Sequence, residues 1–177
     1  SHSEFSVVDG TLRIDDAVDE RFDPFRSTEA AAQLLDYNYR LLGSWPLALT
    51  AYNHGAEGMR RARDASGTTD IAWIVRNHKS RSFGFASRNF YVAFLAAVEI
   101  DRHPEKYFGS ITRNPEMHFS EVVVPAYVPL AALEKTLQLD RARLAELNPG
   151  LRPPVFEGTR LVPKGYRLRL PPQQAEL

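Results

Sequence analysis

Three polar side chains, Tyr52, Asn53 and His54, end an apolar helical stretch and are followed directly by Gly55. A phenol and a carboxamide each donate and accept hydrogen bonds, so this group could bind a polar, uncharged ligand such as a sugar. A purely structural interpretation is also open, with Tyr52 half-buried in the core, Asn53 capping the helix and Gly55 turning the chain. The spacing of the residues does not separate the two interpretations.

The composition of the chain argues against several other kinds of site. Its 177 residues include 22 basic and 22 acidic side chains, so no bulk positive charge attracts nucleic acid. The basic run from Arg76 to Arg81 lacks a nucleic-acid-binding motif and is predicted to be a solvated loop. Without cysteine there are no disulfides, thiolate ligands or cysteine nucleophile. His78 and His103 show no ligand spacing with carboxylates, and we expect no metal and no cofactor.

A helical pattern extends from Asp23 to about Phe108. Asp23-Pro24 is typical of an N-cap followed by proline, and the apolar spacing after it predicts a helix that ends at Leu42, with Gly43 as the stop. Ser44 is the predicted cap of the second helix and Ser87 that of the last. The further helices are predicted over residues 45–52, 57–65, 71–75 and from Ser87 to His103-Pro104.

After Pro115 the pattern changes to short strands and short helices. Strands are predicted at residues 122–124 and 166–170, and helices at 130–137 and 141–147, with Asp140 as a cap. We therefore predict a mainly α protein with a helical domain over residues 11–113 and a small β-α-α-β unit over residues 119–172. Residues 1–10 and 173–177 are predicted tails.

An ordered series of short motifs between Asp19 and Gly55 is specific in combination. The series is Asp19-Glu20-Arg21, Asp23-Pro24, Ser27-Thr28, Ala30-Ala31-Ala32, Trp45-Pro46-Leu47-Ala48 and Ala51-Tyr52-Asn53-x-Gly55. With it, the chain resembles the membrane-bound murein lytic transglycosylases of the D type, in which a lysozyme-like catalytic domain precedes cell-wall-binding modules. Residues 88–109 also resemble the last core helix of that domain. The resemblance covers most of residues 11–110 and implies the C-terminal part of a lysozyme-like fold.

The resemblance implies cleavage of the β-1,4 bond between N-acetylmuramic acid and N-acetylglucosamine, with formation of a 1,6-anhydro end. One carboxyl group must protonate the leaving oxygen and then accept the proton of the sugar's own hydroxyl, which requires a raised pKa. By motif position, the resemblance places Tyr52, Asn53 and Tyr91 along the glycan groove. His54, at the variable position of the motif, and Asn89, at the start of the last helix, are further candidates. A turn histidine and a capping residue would fit these two positions as well.

No residue of the chain matches the glutamate that acts as the acid in this family. Family members carry it in a Glu-Ser pair that lies upstream of the Asp-Glu-Arg motif and is followed by Gly-Leu-x-Gln, and neither motif precedes Asp19. Glu4 is too close, since only fourteen residues separate it from Asp19. Glu20 belongs to the Asp-Glu-Arg motif and is expected to pair with Arg21 in a loop. We therefore predict no catalytic residue within this chain.

Three hypotheses follow from the missing acid. The glutamate lies upstream of residue 6 in a lytic transglycosylase, or a separate N-terminal segment supplies it, or the chain is a non-catalytic peptidoglycan-binding or scaffold protein. In each case the implied partner is the glycan strand of peptidoglycan, and no nucleic acid is expected. The implied location is periplasmic or associated with the outer membrane.

Residues 119–172 are similar to LysM repeats, which are small β-α-α-β modules that bind polymers of N-acetylglucosamine. Leu147-Asn148-Pro149, Gly158 and Leu161-Val162-Pro163 fit the repeat pattern. The opening differs, because Pro125 and Tyr127-Val128-Pro129 replace the usual Gly-Asp-Thr. We describe this unit as a divergent LysM-like domain whose role could be sugar binding or packing.

Overall fold

The computed structural model describes residues 12–172, which are mainly helical and contain one small sheet. A single 3₁₀ turn, Glu20–Phe22, precedes the first helix. The helices are α1 Pro24–Leu42, α2 Trp45–His54, α3 Ala56–Ser66, α4 Ile71–Asn77, α5 Phe85–Arg102, α6 Pro104–Phe108, α7 Leu130–Leu137, α8 Arg141–Leu147 and α9 Pro153–Phe156. The strands are β1 Ser120–Val123 and β2 Arg167–Leu170. The predicted mainly α class is confirmed.

Several helix ends follow directly from local sequence chemistry. The Asp23 carboxylate accepts hydrogen bonds from the backbone N–H groups of Phe25 and Arg26, at 3.0 and 3.3 Å, and so caps α1 as predicted. Asp140 caps α8 in the same way. Gly43 has a φ of 70°, a left-handed conformation that stops α1 without a Cβ penalty.

Some predicted boundaries were wrong. Ser87 does not cap the last long helix, because α5 begins at Phe85 with Gly84 as its N-cap. The chain also re-forms a helix after His103, as α6, because proline is well tolerated in a first helical turn. Arg21 pairs with Asp19, at 2.7 Å, whereas Glu20 accepts a hydrogen bond from the backbone of Arg13. Glu20 is therefore not the partner of Arg21.

The chain divides into two compact units. Among the described residues, one unit contains residues 12–30 together with 115–172, and the other contains Ala31–Asn114. The core of the second unit is apolar and is formed by Leu42, Leu47, Ala51, Met59, Ala62, Ile71, Ile74 and Phe83. The predicted division into residues 11–113 and 119–172 concerns family relationships and stays a prediction, and the predicted tails lie outside the described residues.

The first unit is built on the pairing of β1 with β2. The two strands are antiparallel, with Ser120 opposite Leu170 and Val123 opposite Arg167. The segment before α1 joins their core, because Val18 is fully buried and forms a β-bridge with Leu151. The N-terminal segment is thus an integral part of this core.

Arg169 on β2 is a charged residue inside this core, with a side chain that is only 3% exposed. Its guanidinium contacts the Asp23 carboxylate at 2.8 Å and the Glu121 carboxylate at 3.1 Å. The rings of Phe25 and Phe119 lie 4.6 and 4.7 Å from its central carbon, in cation–π geometry. The charge is therefore both paired and enclosed.

We predict that Arg169→Met destabilises the chain by about 3–5 kcal/mol, because Asp23 would remain buried without its partner. Urea unfolding followed by circular dichroism measures the change. Arg143→Met is the control, since it removes the exposed pair with Glu146 and should cost less than about 1 kcal/mol. Equal effects of the two substitutions would contradict a special role for the buried pair.

Candidate functional site

The polar end of α2 is the candidate site. The apolar face of this helix is buried through Leu47, Ala48 and Ala51, and α2 packs against α3 and α5. The last turn then leaves this packing, so that Tyr52 is 46% exposed and Asn53 is exposed as well. Gly55 ends the helix with a φ of 87°, in a region that side chains with a Cβ rarely adopt.

Tyr52 does not lie in the core. Its ring stacks on Phe90 of α5, with ring centroids 6.1 Å apart and an interplanar angle of 25°. One side of the phenol is therefore supported by α5 while its other surface meets solvent. An exposed aromatic ring held in this way can stack on the apolar face of a sugar and offer a hydroxyl for hydrogen bonding.

Asn53 does not cap the helix, because Gly55 takes that position. Its side-chain oxygen Oδ1 instead accepts a hydrogen bond from Ser87 Oγ of α5, at 3.2 Å. His54 Nδ1 lies 3.2 Å from the same Ser87 oxygen. The three side chains form one hydrogen-bonded group across two helices, which the spacing within the motif could not reveal.

The His54 ring is half-buried and closely surrounded. It meets Phe83 edge to face, with ring centroids 5.0 Å apart. A Cβ at Gly58 would lie 2.7 Å from two atoms of the ring. The imidazole therefore packs against α3 at a position where the helix has no side chain. Burial lowers the pKa of His54, and the positive fields of His78 and Arg61 lower it further, against a hydrogen bond with the Ser82 backbone that raises it. The net shift of the pKa favours the neutral form of the His54 ring.

The two candidates on α5 differ in their surroundings. Tyr91 is half-buried and packs against the apolar core of its unit. Ser87 precedes Tyr91 by four residues, so the two lie on the same face of α5. Asn89 is exposed, and its side-chain amide donates to the backbone carbonyl of Phe85 at 2.9 Å. Asn89 thus stabilises its own helix and is not part of the group formed by Asn53, His54 and Ser87.

Arg88, beside these residues, has a structural task. Its guanidinium donates to the backbone carbonyl oxygens of Val75, His78 and Phe83, and it lies over the Phe83 ring at 5.3 Å. These carbonyls belong to the end of α4 and to the loop before α5. Arg88 therefore fixes the loop on which Phe83 and the His54 ring rest.

Ser87, Phe90 and Gly58 also belong to the site, although the sequence patterns did not predict them. The available signal was the spacing of Ser87 four residues before Tyr91, which places both on one helical face. Ser87 was interpreted as a cap because serine is common at that position. The close approach of α3 at Gly58 has no local sequence signature.

The carboxyl groups with shifted pKa values do not suit the role of a general acid. Asp15, Asp19, Glu57, Glu99 and Glu134 all have pKa values below the ordinary range. In the last four, the largest cause is a side-chain hydrogen bond from an arginine or lysine. A group that must donate a proton near neutral pH needs the opposite shift.

Within residues 12–172, no group of three or more histidine and carboxylate side chains could hold a metal ion. None of the described helices is both long and apolar enough to cross a membrane.

Comparison with known families gives one match. Residues 5–75 match the family described as Transglycosylase SLT domain. No curated protein matches the chain. The matched segment includes α1, α2 and α3, so the candidate site at the end of α2 lies within it. For these residues the match confirms the general part of the predicted resemblance, which is similarity to a lysozyme-like transglycosylase domain.

We predict that the lowered pKa of His54 makes stability depend on pH. The unfolded chain binds a proton near the ordinary pKa of 6.5, whereas the folded chain binds it only at lower pH. The contribution is therefore fully present above pH 6.5 and is lost as the pH falls through the lowered pKa. Urea unfolding at a series of pH values gives the free energy of unfolding as a function of pH. In this pH range the free energy should change less steeply with pH for His54→Gln than for the wild type. His118→Gln, at an exposed histidine, is the control and should keep the wild-type slope.

Proposed function

We propose that the end of α2 is one wall of the glycan groove of a D-type lytic transglycosylase, and that it binds the glycan strands of peptidoglycan. The observation that carries this proposal is the exposure of Tyr52 and Asn53 at a helix end whose remaining face is buried. N-acetyl sugars offer amide and hydroxyl groups together with apolar ring faces. A supported phenol and a fixed carboxamide match both features without needing charge.

The proposed reaction breaks the bond between C1 of N-acetylmuramic acid and the bridging oxygen. A carboxylic acid gives its proton to that oxygen, the 6-hydroxyl oxygen of the same sugar bonds to C1, and the carboxylate takes the hydroxyl proton. Tyr52 and Asn53 would bind and orient the strand while these bonds change. Tyr91 is proposed to reach the groove through its phenol, as the family resemblance implies.

The acid itself is proposed to come from a glutamate other than those at residues 12–172. The exposed apolar face of α5 favours the hypothesis that a further segment, which carries this glutamate, packs on α5. Phe85 is 84% exposed, and Val92 and Leu95 are exposed as well. The spacing of these three residues places them on one face of α5, and an exposed apolar face is typical of a site that another segment covers. An N-terminal segment that carried the glutamate, on the same or on a separate polypeptide, would bury this face.

For the C-terminal unit we propose a divergent LysM-like identity. Its strands pair antiparallel with helices between them. Asn148 of the Leu-Asn-Pro motif supports this identity, because its side chain exchanges hydrogen bonds with the backbone of Arg169 and donates to the Leu144 carbonyl. Its proposed role is packing, since its core contains Val18 from the segment before α1. A periplasmic or outer-membrane location is proposed because peptidoglycan lies there.

We predict that Tyr52→Ala and Asn53→Ala each weaken binding of chitotetraose about five- to tenfold, which corresponds to one lost hydrogen bond or stacking contact. Isothermal titration calorimetry measures the affinity, and circular dichroism checks that the helices are intact. Tyr107→Ala is a matched control, since Tyr107 is 45% exposed on α6, and Asn77→Ala is the control for Asn53. Unchanged affinity in both test variants would refute the site.

We also predict that the 177-residue chain alone releases no 1,6-anhydromuropeptides from purified peptidoglycan. The reason is the missing acid, because the remaining groups can bind the strand but cannot protonate its leaving oxygen. Mass spectrometry of the soluble products is the measurement. Anhydro products from this chain would place the acid within it. Failure to bind peptidoglycan at all would instead count against both the transglycosylase and the non-catalytic binding hypotheses.

A further inference from the structure

A buried hydroxyl group, that of Ser87, lies directly behind the exposed Asn53 side chain. Ser87 is 6% exposed, and its oxygen is 3.2 Å from both Asn53 Oδ1 and His54 Nδ1. We propose that Ser87 and His54 are positioning residues that hold the Asn53 carboxamide in one orientation before a glycan binds. The proposal rests on the function proposed above and deepens it by explaining how one contact is fixed.

Which group donates to which depends on where the His54 ring carries its proton. A serine hydroxyl donates one hydrogen bond and can accept two. In the proposed order, Ser87 donates to Asn53 Oδ1 and accepts from His54 Nδ1–H, so the single proton of the neutral imidazole lies on Nδ1. The reverse order, with that proton on Nε2 and Ser87 donating to Nδ1, is the alternative that the tautomer measurement below distinguishes. With its oxygen bound from behind, the Asn53 carboxamide presents its NH₂ group outward. The site would therefore donate to a sugar carbonyl or hydroxyl oxygen.

The His54 ring acts as the rigid end of this group. Phe83 contacts it from one side, and the backbone at Gly58 leaves no space on another. Phe83 is itself buried and lies under the Arg88 guanidinium, which is bound to three backbone carbonyls. The imidazole cannot rotate without moving one of these neighbours. Its Nδ1 atom therefore stays in place beside the Ser87 hydroxyl.

Fixing Asn53 in advance should matter because it is an exposed side chain. Without support, binding would have to restrict its rotamers and choose between the two orientations of the amide, which typically reduces affinity by about two- to tenfold. His54 occupies the variable position of the Ala-Tyr-Asn-x-Gly motif. In this chain the variable residue would therefore tune its neighbour without touching the ligand.

Gly58→Ala provides a test that touches neither Asn53 nor Ser87. Alanine favours a helix more than glycine, but its Cβ would lie 2.7 Å from the His54 ring and displace it. We expect Gly58→Ala, His54→Ala and Ser87→Ala each to weaken chitotetraose binding about two- to tenfold. In the His54→Ala background the ring is absent, so Gly58→Ala should cause no further loss. Calorimetric titration of the wild type, the three variants and the double variant completes the cycle.

Nuclear magnetic resonance gives a second readout that needs no ligand. The ¹⁵N shifts of the wild-type imidazole should show His54 protonated at Nδ1, and the Asn53 side-chain NH₂ signals should shift in Ser87→Ala and in Gly58→Ala. A His54 proton on Nε2 alone, or unchanged Asn53 signals, would overturn the proposed order of donors. Equal losses from Gly58→Ala in both backgrounds would overturn the role of His54.

These outcomes are distinct from failure of the proposed function. If the wild type did not bind chitotetraose, or if Asn53→Ala bound it normally, the glycan site would be refuted. The resonance measurements would still decide whether Ser87 and His54 orient the Asn53 amide. If Asn53→Ala weakened binding while Ser87→Ala did not, the glycan site would stand and the positioning role would be refuted.

Discussion

The buried guanidinium of Arg169 is the constraint on which the first unit depends. A positive charge in a protein interior is tolerated only when it is paired, and here Asp23 and Glu121 pair with it while two phenylalanine rings exclude water. Asp23 also caps α1, so the same carboxylate satisfies both the ion pair and the free N–H groups of the helix. A single cluster therefore holds the start of α1 against β2. Removing one charged member would leave another buried charge without its partner.

The elements predicted well from sequence are those decided by neighbours in the chain. Asp23-Pro24 and Asp140 mark helix starts because the aspartate side chain accepts hydrogen bonds from backbone N–H groups two or three residues further on, so α1 and α8 have their predicted bounds. The bounds of α7 are also the predicted ones, although no side chain caps its start. Arg169 and Val18 are not recognisable as core residues from the sequence, because Asp23 and Leu151, which contact them, are more than a hundred residues distant, and Glu121, the second partner of Arg169, is 48 residues distant. An alternating strand pattern even favours placing Arg169 toward solvent, and only the facing carboxylates explain its burial.

The candidate site shows the same division. The motif identified Tyr52 and Asn53, and their exposure follows from the position of α2 against α3 and α5. Ser87 looked like a helix cap because local statistics favour that role, yet its hydroxyl is directed at another helix. His54 looked like a turn residue, yet its neutral ring fills the space above Gly58. Contacts between helices decide the function of these side chains, and a single sequence contains little information about them.

The chemistry proposed for this site also accounts for the apolar face of α5. A general acid that works near neutral pH needs a carboxyl group whose charged form is disfavoured, and the usual means is contact with apolar side chains. The carboxyl groups with shifted pKa values in residues 12–172 are held ionised, mostly by arginine or lysine, which is the opposite environment. Phe85, Val92 and Leu95 provide an apolar surface on the helix that also carries Ser87 and Tyr91. A glutamate packed against that surface would have its pKa raised by the same side chains that are now exposed, so the groove wall and the acid would depend on one helix.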